Sequence, residues 1–317
     1  PLMVVTGRPS DDQKEILSTF GFPHTVWQKT FGIFEWVYCL HGSPTHVFDF
    51  DEHGRLLGQS TSGRRDLCRK GGANGPESAA RADGDSQQQD KFDSLMERAG
   101  HCFRQRHAPD MAKEALLRAE EALWIKQSDF EANLLVTRTI AYIASNMKPN
   151  QQRKWMAHRG YKIGKILLKH YPKRVEGYYF AGVNLGLHAQ CLGPIVAVSE
   201  NVKTKIERLI DQAIRLDRDF MQGAPLIAKA RYLFMLPWPM RDREWATKIM
   251  TEVKRKFPKN PHVDLFFVDL ALEKDERKKA RELLEAMIRK LPEGAEDYAD
   301  GVTIKRQAIE LMKTLDQ

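Results

Sequence analysis

The spacing of apolar residues changes once along the chain, and that change divides it. In residues 33–41, Phe34, Trp36, Tyr38 and Leu40 alternate with Glu35, Val37, Cys39 and His41. A period of two predicts a half-buried strand. His41-Gly42-Ser43-Pro44 then reads as a turn, and Thr45–Phe50 as a second strand with Phe48 and Phe50 on one face. Asp51-Glu52-His53-Gly54 is a tight hairpin turn, after which Arg55–Gln59 makes a third strand. Upstream, Ser10 followed by Asp11-Asp12 is a helix start, because a hydroxyl can cap it and carboxylates suit the positive end of the dipole. Ile16, Leu17 and Phe20 give that helix one apolar face, and Gly21 and Pro23 end it. Residues 1–60 therefore predict a small α+β module with a three-stranded antiparallel meander.

Beyond Lys113 the period is helical to the end. Ala115, Leu116, Ala119, Ala122 and Leu123 form one stripe in the helix Lys113–Ile125. Ser128-Asp129 caps a second helix, Phe130–Met147, which Pro149 and Asn150 end. Further helices are expected at about 151–170, 175–191, 199–216, 220–236, 242–257, 261–273, 276–290 and 298–315. Turns between paired helices recur at Ser128, Pro172, Leu216, Pro258 and Pro292, at intervals of 34 to 44 residues. Small residues (Ala119, Ala122, Gly164, Ala213, Ala246, Ala280) sit where helices would approach closely. A helix pair cannot bury its apolar face alone, so stacked neighbours build the core. The fold class expected for 91–317 is mainly α, a degenerate TPR-like helical-hairpin array of the α-solenoid kind. Between the two patterns, residues 61–90 are rich in Gly, Ser, Gln and charge with almost no bulky apolar residue. Such a stretch buries too little surface to offset its ordering entropy, so a flexible linker is expected there.

Composition narrows function only slightly. The 317 residues carry a net charge of +8, which allows contact with an acidic protein, anionic lipid or nucleic acid without choosing among them. No apolar run is long enough for a membrane helix. Pro1–Val5 has neither a basic n-region nor a cleavage site, and the chain opens on Pro1 rather than Met, so a leader or lipobox Cys ahead of residue 1 stays open. The cysteines Cys39, Cys68, Cys102 and Cys191 form no CxxC pair and no metal spacing. They read as four small buried thiols, with one disulfide such as Cys68 to Cys102 open in an oxidising compartment.

No GxSxG, Walker A, HExxH or GxGxxG motif occurs, and neither His41 with His46 nor Asp49 with Asp51 implies a cleft, so no catalytic residue, metal site or cofactor is expected. Two surfaces stand out instead. Residues 148–174 hold nine Lys and Arg and no Asp or Glu, and Lys154, His158, Lys162, Lys165 and Lys169 fall on one helical face. That face is either an ordinary solvated side or a docking face for an acidic partner or anionic lipid headgroups. Nucleic acid is disfavoured because aromatic residues do not interleave there. The second surface is the helix 177–191, punctuated by Gly177, Gly182 and Gly186. Its glycines allow either close helix approach or a concave wall for a small ligand, with Tyr178, Phe180, Asn184 and His188 as contacts. The loop Leu236-Pro237-Trp238-Pro239 presents Trp238 either as a core plug or as a partner contact.

Two resemblances follow from particular residues. The run Phe20-Gly21-Phe22-Pro23, Phe34-Glu35-Trp36-Val37-Tyr38 and Val47-Phe48-Asp49-Phe50-Asp51-Glu52-His53-Gly54 resembles the SmpA/OmlA lipoprotein fold, the family of the BamE subunit of the outer-membrane assembly machinery. It covers about residues 5–60. The stretches Leu209–Phe220, Gly223-Ala224-Pro225, Ala230-Arg231-Tyr232-Leu233, Phe257-Pro258 and Tyr171-Pro172 with Val175–Phe180 are similar to the T component of TRAP-type transporters over about residues 105–315. This chain departs from that pattern after Pro237, where Trp238-Pro239-Met240-Arg241 replaces a Gly-rich turn. The resemblance implies a periplasmic or outer-membrane-associated protein that forms trimers, associates with a periplasmic solute-binding protein or other envelope protein, and holds or channels a small ligand. The expected function is thus a non-enzymatic envelope binding or scaffold protein. A cytoplasmic TPR-type adaptor for peptide segments is the other reading the residues allow.

Overall fold

The computed structural model describes the backbone of residues 25–30, 33–38, 45–50, 56–62, 79–85 and 124, and residues 86–123, 125–192, 201–237, 239–293 and 297–315 more fully. The helix expected over 10–20 lies outside these residues. The chain divides into two units, Pro1–Ala82 and Asp83–Gln317.

In the first unit four strands, β1 (Thr25–Thr30), β2 (Ile33–Tyr38), β3 (Thr45–Phe50) and β4 (Leu56–Ser62), pair in chain order as an antiparallel meander. The stretches expected as strands over 33–41, 45–50 and 55–59 overlap β2, β3 and β4, and β1 makes the meander four-stranded rather than three-stranded. The register sets Phe34 opposite Phe50 and Trp36 opposite Phe48, so aromatic positions share rows across β2 and β3.

The second unit is helical throughout its described residues. It runs α1 (Ala79–Arg104), α2 (Met111–Ile125), α3 (Phe130–Ser145), α4 (Gln151–His170), α5 (Val175–Ala189), α6 (Val202–Leu216), α7 (Phe220–Met235), α8 (Arg243–Lys256), α9 (Pro261–Glu273), α10 (Arg277–Lys290) and α11 (Tyr298–Leu315). The expectation of a mainly α chain holds. The segment read as linker does not stay irregular: α1 begins at Ala79. Its first turns are polar, but Phe92, Ala99, Cys102 and Phe103 are buried, and a packed C-terminal half can propagate a helix back through Ala- and Gln-rich sequence.

Local chemistry explains the boundaries. Asp129 Oδ1 accepts from the Ala132 amide at 2.9 Å, Asn150 from Arg153 at 2.8 Å and Asp242 from Trp245 at 2.9 Å. Asn260 accepts from His262 at 3.0 Å, with Pro261 at the first helical position. In α6, Val202, Ile206, Leu209, Ile210 and Ala213 are buried at i, i+4, i+7, i+8 and i+11, one stripe against α5 and α7. The alanines marked as close-approach sites, Ala119, Ala122, Ala213, Ala246 and Ala280, have no exposed surface.

Each helix packs on its successor, and several pack on the next but one: α3 on α5, α5 on α7, α7 on α9, α9 on α11. Repeat-like packing of this kind hands the core along the array, from Val136 and Ile140 through Leu185 and Ile210 to Phe266, Met250, Leu284 and Ile304. The array also curves back on itself. Arg106, in the α1–α2 turn, reaches Asp300 at the start of α11, 194 residues away, and Tyr142 of α3 bonds Thr303 of α11 at 2.9 Å. Neighbouring helix axes lie about 8–10 Å apart, so a straight stack would hold these ends far from each other.

A candidate binding recess where the array closes

The closure begins with Arg106. Its guanidinium, 4% exposed, lies 2.6 Å from Asp300 and 2.7 Å from Asp297, and also donates to the Phe103 carbonyl at 3.1 Å. Asp297 does double work: its Oδ1 accepts from the Asp300 amide and caps α11, while Oδ2 takes Arg106. Burial pushes the Asp297 carboxyl up, but hydrogen bonding and charge from Arg106 outweigh it and hold the group below the usual carboxylate range.

Around this lock lies an inward-facing group of side chains. Arg138 and Tyr142, one turn apart on α3, share a face with Leu134. The Arg138 guanidinium stands 4.5 Å over the Phe103 ring, which Arg106 also faces at 4.4 Å. On α5, Tyr179 packs into the cluster of Leu134 and Phe130, with its ring 5.6 Å from Phe220. Phe220 is turned there by an unusual start to α7, where Met221, Gln222 and Gly223 all take left-handed backbone angles and Asn260 Nδ2 donates to the Gln222 carbonyl at 3.1 Å. His262 of α9 completes the group.

These residues are partly open and yet strongly desolvated. Tyr179 is half-buried and His262 exposed. Even so, burial is the main cause that pushes the Tyr179 hydroxyl up, with Asp300 adding to it and Arg138 opposing. Burial likewise pushes the His262 imidazole down, against Asp300 and with Arg231. Arg138 is shifted down in the same way, first by burial and then by the like charge of Arg106, while Asp297, Asp300 and Tyr179 pull it back. Arg138 and His262 thus both feel Asp297 and Asp300, and Tyr179 feels Asp300. Farther along α9 and α11, Leu265, Asp269, Arg306, Gln307 and Leu311 line a cleft of about 500 Å³, and Asp269 there is paired with Arg231.

The residues singled out from the sequence lie elsewhere. Phe180, Asn184 and His188 are buried, and Tyr178 is half-buried against α6. Asn184 Nδ2 donates to the Thr137 carbonyl at 3.1 Å and to Phe180 at 2.9 Å. His188 Nδ1 donates to the Lys154 carbonyl at 3.0 Å, and its ring lies 4.8 Å from that of His158. Lys162, Lys165 and Lys169 are exposed along α4, with Ile166 between them 39% exposed. Arg153, Arg159 and Arg174 of the same basic run turn to Gln190, Glu120 and Glu176. Trp238 lies outside the described residues. Cys102 and Cys191 are free thiols. Among the described residues no group of three or more His, Cys, Asp or Glu is placed to hold a metal, and no helix is long and apolar enough to cross a membrane.

The recess residues Arg106, Arg138, Tyr179, His262 and Asp300 escape sequence reading because four separate helices and a turn bring them together. The one local signal was the i, i+4 run Leu134–Arg138–Tyr142, a charged residue on an otherwise packed face. No family model matches the chain, and no curated protein matches it.

Proposed function

We propose that this protein is a non-enzymatic binding or scaffold protein of the cell envelope, a TPR-like array of the TRAP T-component kind joined to a small SmpA/OmlA-like α+β module. The array docks a solute-binding protein and presents its concave wall to a small ligand. The observation that carries this reading is the curvature that returns α11 to the α1–α2 turn and α3 through Arg106–Asp300 and Tyr142–Thr303. An array of stacked helices that bends this far has an inner wall shaped for a ligand and an outer face left for a partner. The exposed lysines 162, 165 and 169 on α4 suit an acidic partner surface.

The test is direct binding of the purified full chain to the solute-binding protein of a TRAP system from the same cells. Saturable binding that Lys162→Glu/Lys165→Glu/Lys169→Glu weakens about tenfold or more, with helical circular dichroism unchanged, is the expected result. Absence of any saturable binding overturns the proposal. Sedimentation equilibrium of the same sample addresses the assembly, for which the reading expects a trimer.

A further inference from the structure

We infer that Arg138 and Tyr179 form an oxyanion site in the recess, built for a small molecule with one carboxylate or phosphoryl group on an apolar body. The inference rests on the reading of the concave wall as a ligand surface and names what that wall would take.

The two neighbouring guanidiniums are used differently. Arg106 spends its donors on Asp297, Asp300 and the Phe103 carbonyl. Arg138 stands over the same Phe103 ring and has neither a hydrogen-bond acceptor nor an ion pair among the described residues. A guanidinium keeps its proton at any physiological pH, so it cannot escape burial by neutralising. Its planar fork presents two parallel N–H groups, the geometry that grips a carboxylate or phosphoryl group. The Tyr179 hydroxyl, on the helix packed against α3, also has no hydrogen-bond partner among the described residues and supplies a third donor.

The surroundings narrow the ligand. Phe103, Leu134 and Phe220 flank the two donors, an apolar wall for the body of the molecule. The charged and titratable groups facing the site are Arg106, Asp297 and Asp300 from the closure, and His262 and Arg231 from α9 and α7. Arg106 engages both carboxylates, yet their charge still reaches Arg138. One negative charge is therefore accommodated against Arg138, and a second meets Asp297 and Asp300. The site should prefer a monoanion to a dianion.

Isothermal titration of the full chain at constant ionic strength and pH 7.5, with benzoate and phenyl phosphate as probes, tests this. Saturable binding of at least one probe is expected, benzoate the tighter because phenyl phosphate is largely dianionic there. Arg138→Gln should weaken it about tenfold or more, and Tyr179→Phe about fivefold, the loss of one hydrogen bond. Arg138→Gln should fold normally, since it removes a cation with no pairing partner, and Tyr179→Phe stands as a second probe should it not. Binding of neither probe, or binding that both variants retain, overturns the site. Run beside the solute-binding-protein assay, the titration separates the two ideas: partner binding without anion binding removes only this site, and anion binding without partner binding removes only the docking role.

Discussion

Two places on the array, both touching α5, show how differently the same helix can use polar residues. At the α4–α5 seam, Asn184 is wholly buried and its amide is spent on Thr137 and Phe180, while Gly160 and Gly164 let the backbones close. Five residues earlier in the chain, Tyr179 opens onto the recess with its hydroxyl unspent, beside an Arg138 in the same condition. In the seam, both Asn184 Nδ2 hydrogens are taken up within the protein, its Oδ1 is buried without a partner among the described residues, and geometry leaves no room for a ligand. In the recess, charges are enclosed without being used up. A buried polar group with internal partners specifies packing. One that keeps its donors free in a concave space is available to something else. The difference is testable because the two regions should answer mutation in opposite ways.

The sharpest contrast lies inside the recess itself. Arg106→Ala should destabilise the protein by about 3 kcal/mol, at the low end for breaking a buried ion pair from one side, because Asp297 and Asp300 keep 40% and 28% of their side-chain surface and can rehydrate. Urea unfolding of the array unit's signal should show a lower midpoint, and limited proteolysis should begin near residue 297 as α11 loses its anchor. In the same assay Arg138→Gln should leave the midpoint unchanged or raise it. Equal losses in the two variants would mean that Arg138 is as structural as Arg106, and the comparison would collapse.

Some of this was legible in the sequence and some was not, for physical reasons. Helix caps are local: Asp129 and Asn150 announce themselves beside an apolar run, and the structure places their carbonyl-type oxygens on the amides three residues on. Alanines at close approaches are equally local, since only the period matters. Alternation points to β2, and the turns at 41–44 and 51–54 point to β3 and β4. What a sequence cannot display is closure. Arg106 and Asp300 are unremarkable in their own neighbourhoods, and nothing short of the summed curvature of ten helix contacts brings them together. The same blindness explains Asn184 and His188: polar residues in a glycine-rich helix read equally well as ligand contacts or as seam contacts, and only the neighbouring helix decides. The start of α1 was missed because its first turns carry no apolar stripe, and stability reaches them from Phe92 onward.

The seam is broken next. A Cβ at Gly160 would fall 2.3 Å from Asn184 Oδ1 and 2.8 Å from an Ile140 methyl, both inside contact distance. Gly160→Ala should cost about 1–3 kcal/mol, the usual range for forcing atoms into a filled core, despite the better helix propensity of alanine. Thermal unfolding measures it. Because the closest clash is with the Asn184 side chain, Asn184→Ala in the Gly160→Ala background should be less damaging than the sum of the two single changes, by roughly 0.5–1 kcal/mol or more. Strict additivity would mean that Asn184 is not what holds the two helices at this distance.

The smallest effect is also the cleanest. Gly186 lies on the same helix as Gly182 and Asn184, yet a Cβ there would meet nothing within 4 Å. Neither close approach nor a left-handed angle asks for glycine at that position, so it loosens α5 without a packing return. Gly186→Ala should stabilise by about 0.5–1 kcal/mol, a rise of roughly 1–4 °C in the midpoint of thermal unfolding for a unit of this size. A gain shows that the glycine is a spare of the helix, distinct from the seam glycines by the space around it. A loss shows that the open side of Gly186 is filled by something, and a partner copy or ligand resting on that turn of α5 would then be the first thing to look for by repeating the melt at tenfold lower protein concentration.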